Sequence, residues 1–158
     1  ILSEVYATQA RLGMEPEARL GLLLKAGDAY ASAGEDAQAI EAYGESLDLL
    51  RSSRAAMEYE SELLANKAAC HLAQGEADVA TRMAQEAVRL SKERATRLSE
   101  CRAWLVIASA APDRRASEIA LQQAEGLIAQ SGAVTHLARL HEIRSRLSCE
   151  SESSWAGG

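Results

Sequence analysis

The feature that most constrains the fold of this chain is an internal repeat centred on two glycines, Gly34 and Gly75, which lie 41 residues apart. Around each glycine, small and apolar residues recur at spacings of three or four, as on one face of a helix. The first copy contains Leu23, Ala26, Gly27, Tyr30, Ala39, Tyr43 and Leu47, and the second has Leu64, Lys67, Ala68, His71, Ala80, Ala84 and Val88 at the corresponding positions. Because similarity at a fixed period indicates stacked units, the sequence predicts a helical repeat architecture.

Each copy has the pattern of a helical hairpin. A hairpin needs a tight turn, and glycine at positions 34 and 75 supplies the backbone freedom for it. Small residues are also needed where two helices approach closely, and three pairs meet this need: Gly27 with Ala39, Ala68 with Ala80, and Ala108 with Ala120. The last pair belongs to a third copy, which begins at Trp104 and ends its first helix at Pro112 instead of at a glycine.

These residues resemble the pattern of the tetratricopeptide repeat family, in which a bulky residue, Leu-Gly and a tyrosine are followed by alanine and an aromatic. The resemblance covers residues 17–131 and implies an all-α, right-handed superhelix of antiparallel helical hairpins. The period here is 40 or 41 residues instead of about 34, which adds nearly two helical turns. Such long repeats resemble the C-terminal helical arms of bacterial signalling ATPases, cyclases and transcription regulators, and residues 120–147 resemble the closing repeat of those arms.

The hydrophobic periodicity predicts about seven helices in one repeat domain over residues 1–150. Within it we expect an orphan second helix of a truncated repeat at 1–16, repeats at 17–54, 55–94 and 95–132, and a capping helix at 133–150. Residues 151–158 are polar and end in glycine, which predicts a flexible tail. Because the chain starts at Ile1 with an unpaired helix, we expect it to be a fragment of a longer protein.

The charge of the chain excludes one class of partner. With 23 acidic and 17 basic residues, the net charge is −6, so we expect no basic surface for nucleic acid. No apolar run approaches the ~20 residues of a membrane span, so we expect no membrane partner. The three cysteines are odd in number and widely spaced, which favours free thiols in a reducing cytoplasm.

No pattern in the chain signals catalysis, a metal or a cofactor. The sequence lacks a phosphate-binding glycine loop, an HExxH pair and a CxxC pair. His136 and His141 are five residues apart, which does not place them on one helical face as ligands four apart would be. His71 occupies the position of Tyr30 in the first copy, so we interpret it as a packing residue, and we interpret Trp104 as a core residue. We therefore expect a protein that is not an enzyme.

Binding is the remaining class of function. Stacked hairpins curve, and the first helix of each hairpin lines the concave side. Counted from the small residues, the positions that face this groove are Leu24, Asp28, Ala31, Ala65, Asn66, Ala69, Leu72, Leu105 and Ser109. This strip is mostly small and apolar, so it suits an apolar or amphipathic helical segment. The alternative is that these residues only pack against the adjoining repeats.

We therefore predict a protein–protein interaction module, a scaffold or sensor arm of a larger bacterial signalling or regulatory protein that binds a peptide or helix in its groove. The alternative is a stand-alone adaptor, because residues 66–72 resemble the segment with which co-chaperone repeats clamp a partner's C-terminal carboxylate, with Asn66 as one clamp residue. The other clamp positions hold Leu24, Asp28, Leu105 and Ser109, and Asp28 would repel a carboxylate. A homodimer through exposed terminal helices is left open.

Overall fold

The structure is a computed structural model that describes residues 2–12 and 15–153, with side chains described as far as Cys149. Every regular element in these ranges is helical, which confirms the all-α class. The α-helices are α1 (Leu2–Ala10), α2 (Pro16–Ser32), α3 (Asp36–Ser53), α4 (Glu60–Ala73), α5 (Ala77–Arg94), α6 (Arg97–Ala110), α7 (Arg114–Ser131) and α8 (Leu137–Ser153). The described ranges contain eight α-helices instead of about seven, and eight is the number that a helix at each end and three hairpins require.

The helices pack in chain order. Each helix from α1 to α7 packs against the next, and α8 completes the stack against α6 and α7. In addition, α4 packs against both α2 and α6, whereas no comparable contact joins α3 to α5 or α5 to α7 in the described ranges. The even-numbered helices therefore approach one another along one side of the stack. This is the arrangement of a helical repeat protein, in which each unit contacts its neighbours.

The turns inside the hairpins follow the sequence pattern. Gly34 and Gly75 adopt positive φ angles of 75° and 82°, which glycine tolerates without a steric penalty. The backbone N–H groups of both glycines and of the residues after them donate to carbonyls of the preceding helix. In the third hairpin Asp113 caps the N-terminus of α7 instead, and its Oδ1 accepts from the Ala116 N–H at 2.9 Å. All three turns thus satisfy backbone groups that the helix ends leave unpaired.

The turns between the hairpins are less visible in the sequence. Each hairpin ends on a left-handed residue, and these are Arg54, Ala95 and Gly132, with φ angles of 54°, 57° and 67°. Only the third is a glycine, which is why no turn signal marks the break after Ser53. Beside the first of these turns, the carboxylate of Glu60 accepts hydrogen bonds from Arg51 Nε at 3.0 Å and from Arg94 Nη2 at 2.9 Å. These ion pairs support the left-handed conformation of Arg54, which glycine would adopt at less steric cost.

The small residues lie in the interior, as the sequence predicts. Gly27, Ala39, Ala68, Ala80, Ala108 and Ala120 are all buried. Gly27, however, has a different close neighbour from the predicted Ala39, because the ring of Tyr43 lies directly over it. The tyrosine therefore fills the space that the absent side chain leaves.

Two clusters of buried side chains make up the core. One joins the first two hairpins to α6, and the other joins α6 to α7 and α8. Trp104, which the sequence assigns to the core, is half-buried and packs against both clusters, with Lys92 Nζ 5.5 Å from its ring centroid. Ala103 and Val106 belong to the first cluster and Cys101 and Leu105 to the second, so α6 is buried on two sides.

The C-terminal helix is longer than the sequence suggests. Helix α8 continues to Ser153, three residues into the segment 151–158 that is predicted to be a flexible tail. Residues 154–158, with Trp155, lie outside the described residues, as does Ile1. Among the described helices, none has both the length and the apolar character that crossing a membrane requires.

Candidate binding groove

The side of the stack formed by the even-numbered helices contains an open cavity of about 710 Å³. Its walls come from α2, α4, α6 and α8, and Tyr43 of α3 and His136 of the 3-10 turn before α8 complete it. We call this cavity the groove. The residues of its walls that the sequence predicts are Asp28, Ala31, Asn66, Ala69, Leu72, Leu105 and Ser109. The periodicity of the first helix of each hairpin therefore brings seven predicted positions to one surface.

Two of the predicted positions do not belong to the groove. Ala65 is 0% exposed and lies within the first core cluster, while Leu24 packs against the same cluster without lining the cavity. The sequence-based placement is wrong for both. Helix α4 has neighbours on more than one side, namely α3, α5 and α6 as well as α2. Small size at position 65 therefore reflects close helix packing and not access for a ligand.

A chain of hydrogen bonds runs across the groove and links three hairpins. The Tyr43 hydroxyl donates to Asp28 Oδ1 at 2.7 Å, and Asn66 Nδ2 donates to the same oxygen at 3.2 Å. Arg102 Nη1 in turn donates to Asn66 Oδ1. The four side chains come from α3, α2, α4 and α6. Asp28, which the sequence predicts to repel a carboxylate, thus accepts hydrogen bonds from two side chains of the protein itself.

The tyrosine is a donor that stays protonated. Burial raises the pKa of Tyr43, and its hydrogen bond to Asp28 and the negative charge of that carboxylate raise the pKa further. In the sequence Tyr43 stands out only as a member of the first repeat copy. The sole signal for its polar contact is the fifteen-residue separation from Asp28, which places the two on facing helices of one hairpin.

Positive charge on the groove is only partly marked in the sequence. Arg102, Arg139 and Arg146 line the cavity, where the carboxylates are Asp28 and Glu62. Burial raises the pKa of Glu62 and the negative charge of Asp28 adds to this, although the guanidinium of Arg102 opposes the shift. The sequence does mark Arg139 and Arg146, seven residues apart on α8, as part of a basic cluster on one helical face, which the sequence favours as a solvated face. No local spacing indicates that Arg102 of α6 joins them.

A second cavity of about 710 Å³ adjoins the groove near the N-terminal ends of α4 and α6. The two cavities share Glu62, Arg102 and His136, so they form one continuous surface. Burial lowers the pKa of His136, and the positive charge of Arg102 lowers it further, so the imidazole is neutral near pH 7. Tyr59 and Leu98 line the second cavity and are 40% and 58% exposed.

The groove offers little for covalent chemistry. The Cys70 thiol borders it, but burial raises the pKa of this thiol to about 12, so it carries no nucleophilic thiolate near neutral pH. His71, the neighbour of Cys70 in sequence, hydrogen-bonds through Nδ1 to the carboxylate of Glu76. No group of three His, Cys, Asp or Glu side chains in the described part of the chain is arranged to hold a metal ion. What the surface provides is apolar contact, hydrogen-bonding groups and charge.

Comparison with known proteins adds no assignment. No protein-family model, no curated protein and no solved structure matches this chain.

Proposed function

We propose that this chain is a protein-binding module of the tetratricopeptide repeat type, a non-catalytic scaffold or sensor arm of a larger bacterial regulatory protein. Its groove receives a helical or extended segment of a partner protein. The observation that supports this proposal most is the opening of seven predicted positions, spread over three hairpins, into one cavity of about 710 Å³. A surface built from several repeats suits an elongated ligand, because successive repeats contact successive parts of it.

The lining of the groove supports a peptide ligand. Ala31, Ala69 and Ala73 present small side chains, so a partner backbone can approach these helices closely. Leu72 adds apolar area at the surface, which contributes about 25 cal/mol per Å² when water is displaced, whereas Leu105 is 3% exposed and belongs to the core. The hydrogen-bonded chain from Tyr43 to Arg102 fixes four polar side chains of the groove before a partner arrives. A partner therefore meets a preorganised surface, which reduces the entropic cost of binding.

The contacts of Asn66 weigh against the carboxylate clamp of a co-chaperone adaptor. Its amide nitrogen donates to Asp28 and its carbonyl oxygen accepts from Arg102, so both ends of the side chain are engaged within the protein. A terminal carboxylate at Asn66 would also lie beside the Asp28 carboxylate, and like charges at that distance repel. We therefore favour an internal segment of the partner as the ligand.

The test is selection of peptide ligands followed by obstruction of the groove. Peptides from a random display library are selected on the intact chain, and their affinities are measured by fluorescence anisotropy. Ala69→Arg places a long side chain on the groove surface, so we expect at least a tenfold loss of affinity. Ala129→Arg, at an exposed position of α7 away from the groove, is the matched control and should bind as the wild type does. Selected peptides that bind Ala69→Arg with unchanged affinity would exclude the groove as their site.

The thiols support a reducing compartment, and we propose the cytoplasm. Cys70 and Cys101 are buried as free cysteines, and burial raises the pKa of Cys101 to about 11. Cytoplasmic proteins keep such thiols reduced. Mass spectrometry of the protein from its native cells, after alkylation under denaturing conditions, should find both thiols unmodified before alkylation. A disulfide at either would contradict this location.

A further inference from the structure

The groove is locally basic on a chain whose net charge is −6. Three arginines line it, and of its two carboxylates Asp28 already accepts from Tyr43 and Asn66. The lining therefore carries three positive charges against the two negative charges of Asp28 and Glu62.

Two of the three arginines are open to a new ligand. Arg146 is exposed, and no ion pair joins it to a side chain described in residues 2–12 and 15–149, although its positive charge helps to lower the pKa of Glu142. Arg139 Nη1 lies 2.7 Å from Glu142 Oε2, and both side chains are about half exposed. An exposed ion pair of this kind contributes about 0–1 kcal/mol, so a ligand carboxylate can replace Glu142 at little cost.

The second cavity extends this surface with apolar area. Tyr59 and Leu98 are large exposed side chains that line it, and the shared residues Glu62, Arg102 and His136 connect it to the groove. Leu98 in the second cavity and Ser109 in the groove both lie on α6, eleven residues and so about 16 Å apart. A segment of about eleven helical residues, or about five extended ones, spans that distance.

Resting on the proposed function, we propose that the partner segment is acidic and apolar. Its carboxylates lie against Arg139 and Arg146, and one large apolar side chain lies against Tyr59 and Leu98 in the second cavity. Guanidinium groups bind carboxylates through two parallel hydrogen bonds, which makes arginine the suitable residue for such a wall. The apolar contact fixes the position of the segment along the groove.

The probes are three synthetic amphipathic peptides of about 16 residues that share one Leu/Ala stripe and carry Glu, Gln or Lys at the polar positions. Their binding to the intact chain is measured by fluorescence anisotropy at low and at high salt. We expect the Glu peptide to bind on the order of tenfold tighter than the Gln peptide, and the Lys peptide to bind most weakly. The advantage of the Glu peptide should shrink at high salt, because salt screens exposed charges.

Matched variants test the two parts of the contact. Arg146→Gln should reduce the preference for the Glu peptide about threefold, whereas Arg115→Gln, exposed on α7, should leave it unchanged. Leu98→Gln should weaken the Glu peptide about fivefold, whereas Ile119→Gln, at a side chain of similar exposure on α7, should not. All four positions are exposed, so loss of folding does not confuse the result.

The outcomes separate this inference from the proposed function. Two kinds of result overturn the inference and leave groove binding in place. One is equal binding of the three peptides or a preference for the Lys peptide, and the other is binding that Arg146→Gln or Leu98→Gln does not affect. Failure of all three peptides to bind also overturns the inference, whereas failure of the display selection to yield any ligand of the groove contradicts the proposed function.

Discussion

The ring of Tyr43 occupies the space that a side chain at position 27 would need, since a Cβ on Gly27 would lie 2.4 Å from Tyr43 Cε1. The same ring carries the hydroxyl that binds Asp28, one residue further along α2. The absence of a side chain at position 27 therefore sets the distance between α2 and α3 and brings Tyr43 within reach of the groove. Close packing and the polar surface of the groove depend on one another at this point.

We expect Gly27→Ala to destabilise the protein by about 1–3 kcal/mol, because the new methyl group forces the ring or the helix to shift. Gly21→Ala is the matched control in the same helix, where nothing lies within 4 Å of the added Cβ. Alanine should there stabilise by up to about 1 kcal/mol through its helix propensity. Urea unfolding of both variants measures the difference. Equal stability of the two would show that the predicted clash is relieved without cost.

We expect Tyr43→Phe to lower the free energy of unfolding by about 1 kcal/mol at pH 7, because Asp28 loses a partly buried hydrogen-bond donor. Since the pKa of Tyr43 is raised above the ordinary 10.0, its neutral form contributes stability that is present below pH 10 and lost as the pH rises further. The alkaline loss of stability should therefore be smaller in Tyr43→Phe than in the wild type. Tyr59→Phe, at an exposed tyrosine, is the control and should change neither quantity. Urea unfolding between pH 7 and pH 11 tests this, and parallel alkaline curves for all three proteins would refute it.

We expect Ala95→Gly to stabilise the protein by about 1 kcal/mol. Ala95 has a φ of 57°, where an L-residue is strained and glycine is not. Ala129→Gly, at an exposed position inside α7, should instead cost about 1 kcal/mol, since glycine is a poor helix former. Thermal unfolding of the two variants should therefore shift in opposite directions. A loss of stability in both would mean that the turn before α6 does not strain Ala95.

We expect Glu60→Gln to lower the free energy of unfolding by about 1–3 kcal/mol at pH 7 and by much less at pH 3. Burial alone would raise the pKa of Glu60, but hydrogen bonds from Arg94 and Arg51 outweigh it and hold the pKa below 4.5. A carboxyl with a lowered folded-state pKa contributes stability above its unfolded pKa, and this is lost as the pH falls through the folded value.

The control for Glu60 is Glu118→Gln, which removes an exposed pair with Arg114 and should cost no more than about 0.5 kcal/mol at either pH. Denaturant titrations at pH 3 and pH 7 give both values for each variant. A cost for Glu60→Gln that is the same at the two pH values would exclude the ion pair as its source.

Much of the fold is predictable from local pattern. The predicted hairpin turns at Gly34 and Gly75 are confirmed, because glycine at the end of an amphipathic stretch commonly forms the left-handed C-terminal cap of a helix. The turns at Arg54 and Ala95 carry no such mark, since nonlocal contacts hold strained residues there. At the first of them, Arg94 reaches back 34 residues to Glu60.

The groove is predictable only in part. Helical periodicity identifies one face of each first helix, and seven positions on these faces line the cavity. It cannot tell a face that lines a cavity from one that packs on a neighbouring helix, which is why Ala65 and Leu24 are misplaced. The contact of Arg102 is not predictable in this way, because its partner Asn66 lies 36 residues away, on another hairpin.

The sequence by itself determined the helices, the repeat and the small residues in the interior, because these follow from spacings of a few residues and from the size of side chains. Only the tertiary structure decided which polar side chains meet. The chain from Tyr43 to Arg102 and the arginine wall join residues of different helices, and their distances depend on how the hairpins stack. Stacking angles arise from packing summed over many contacts, and no short segment of sequence encodes them.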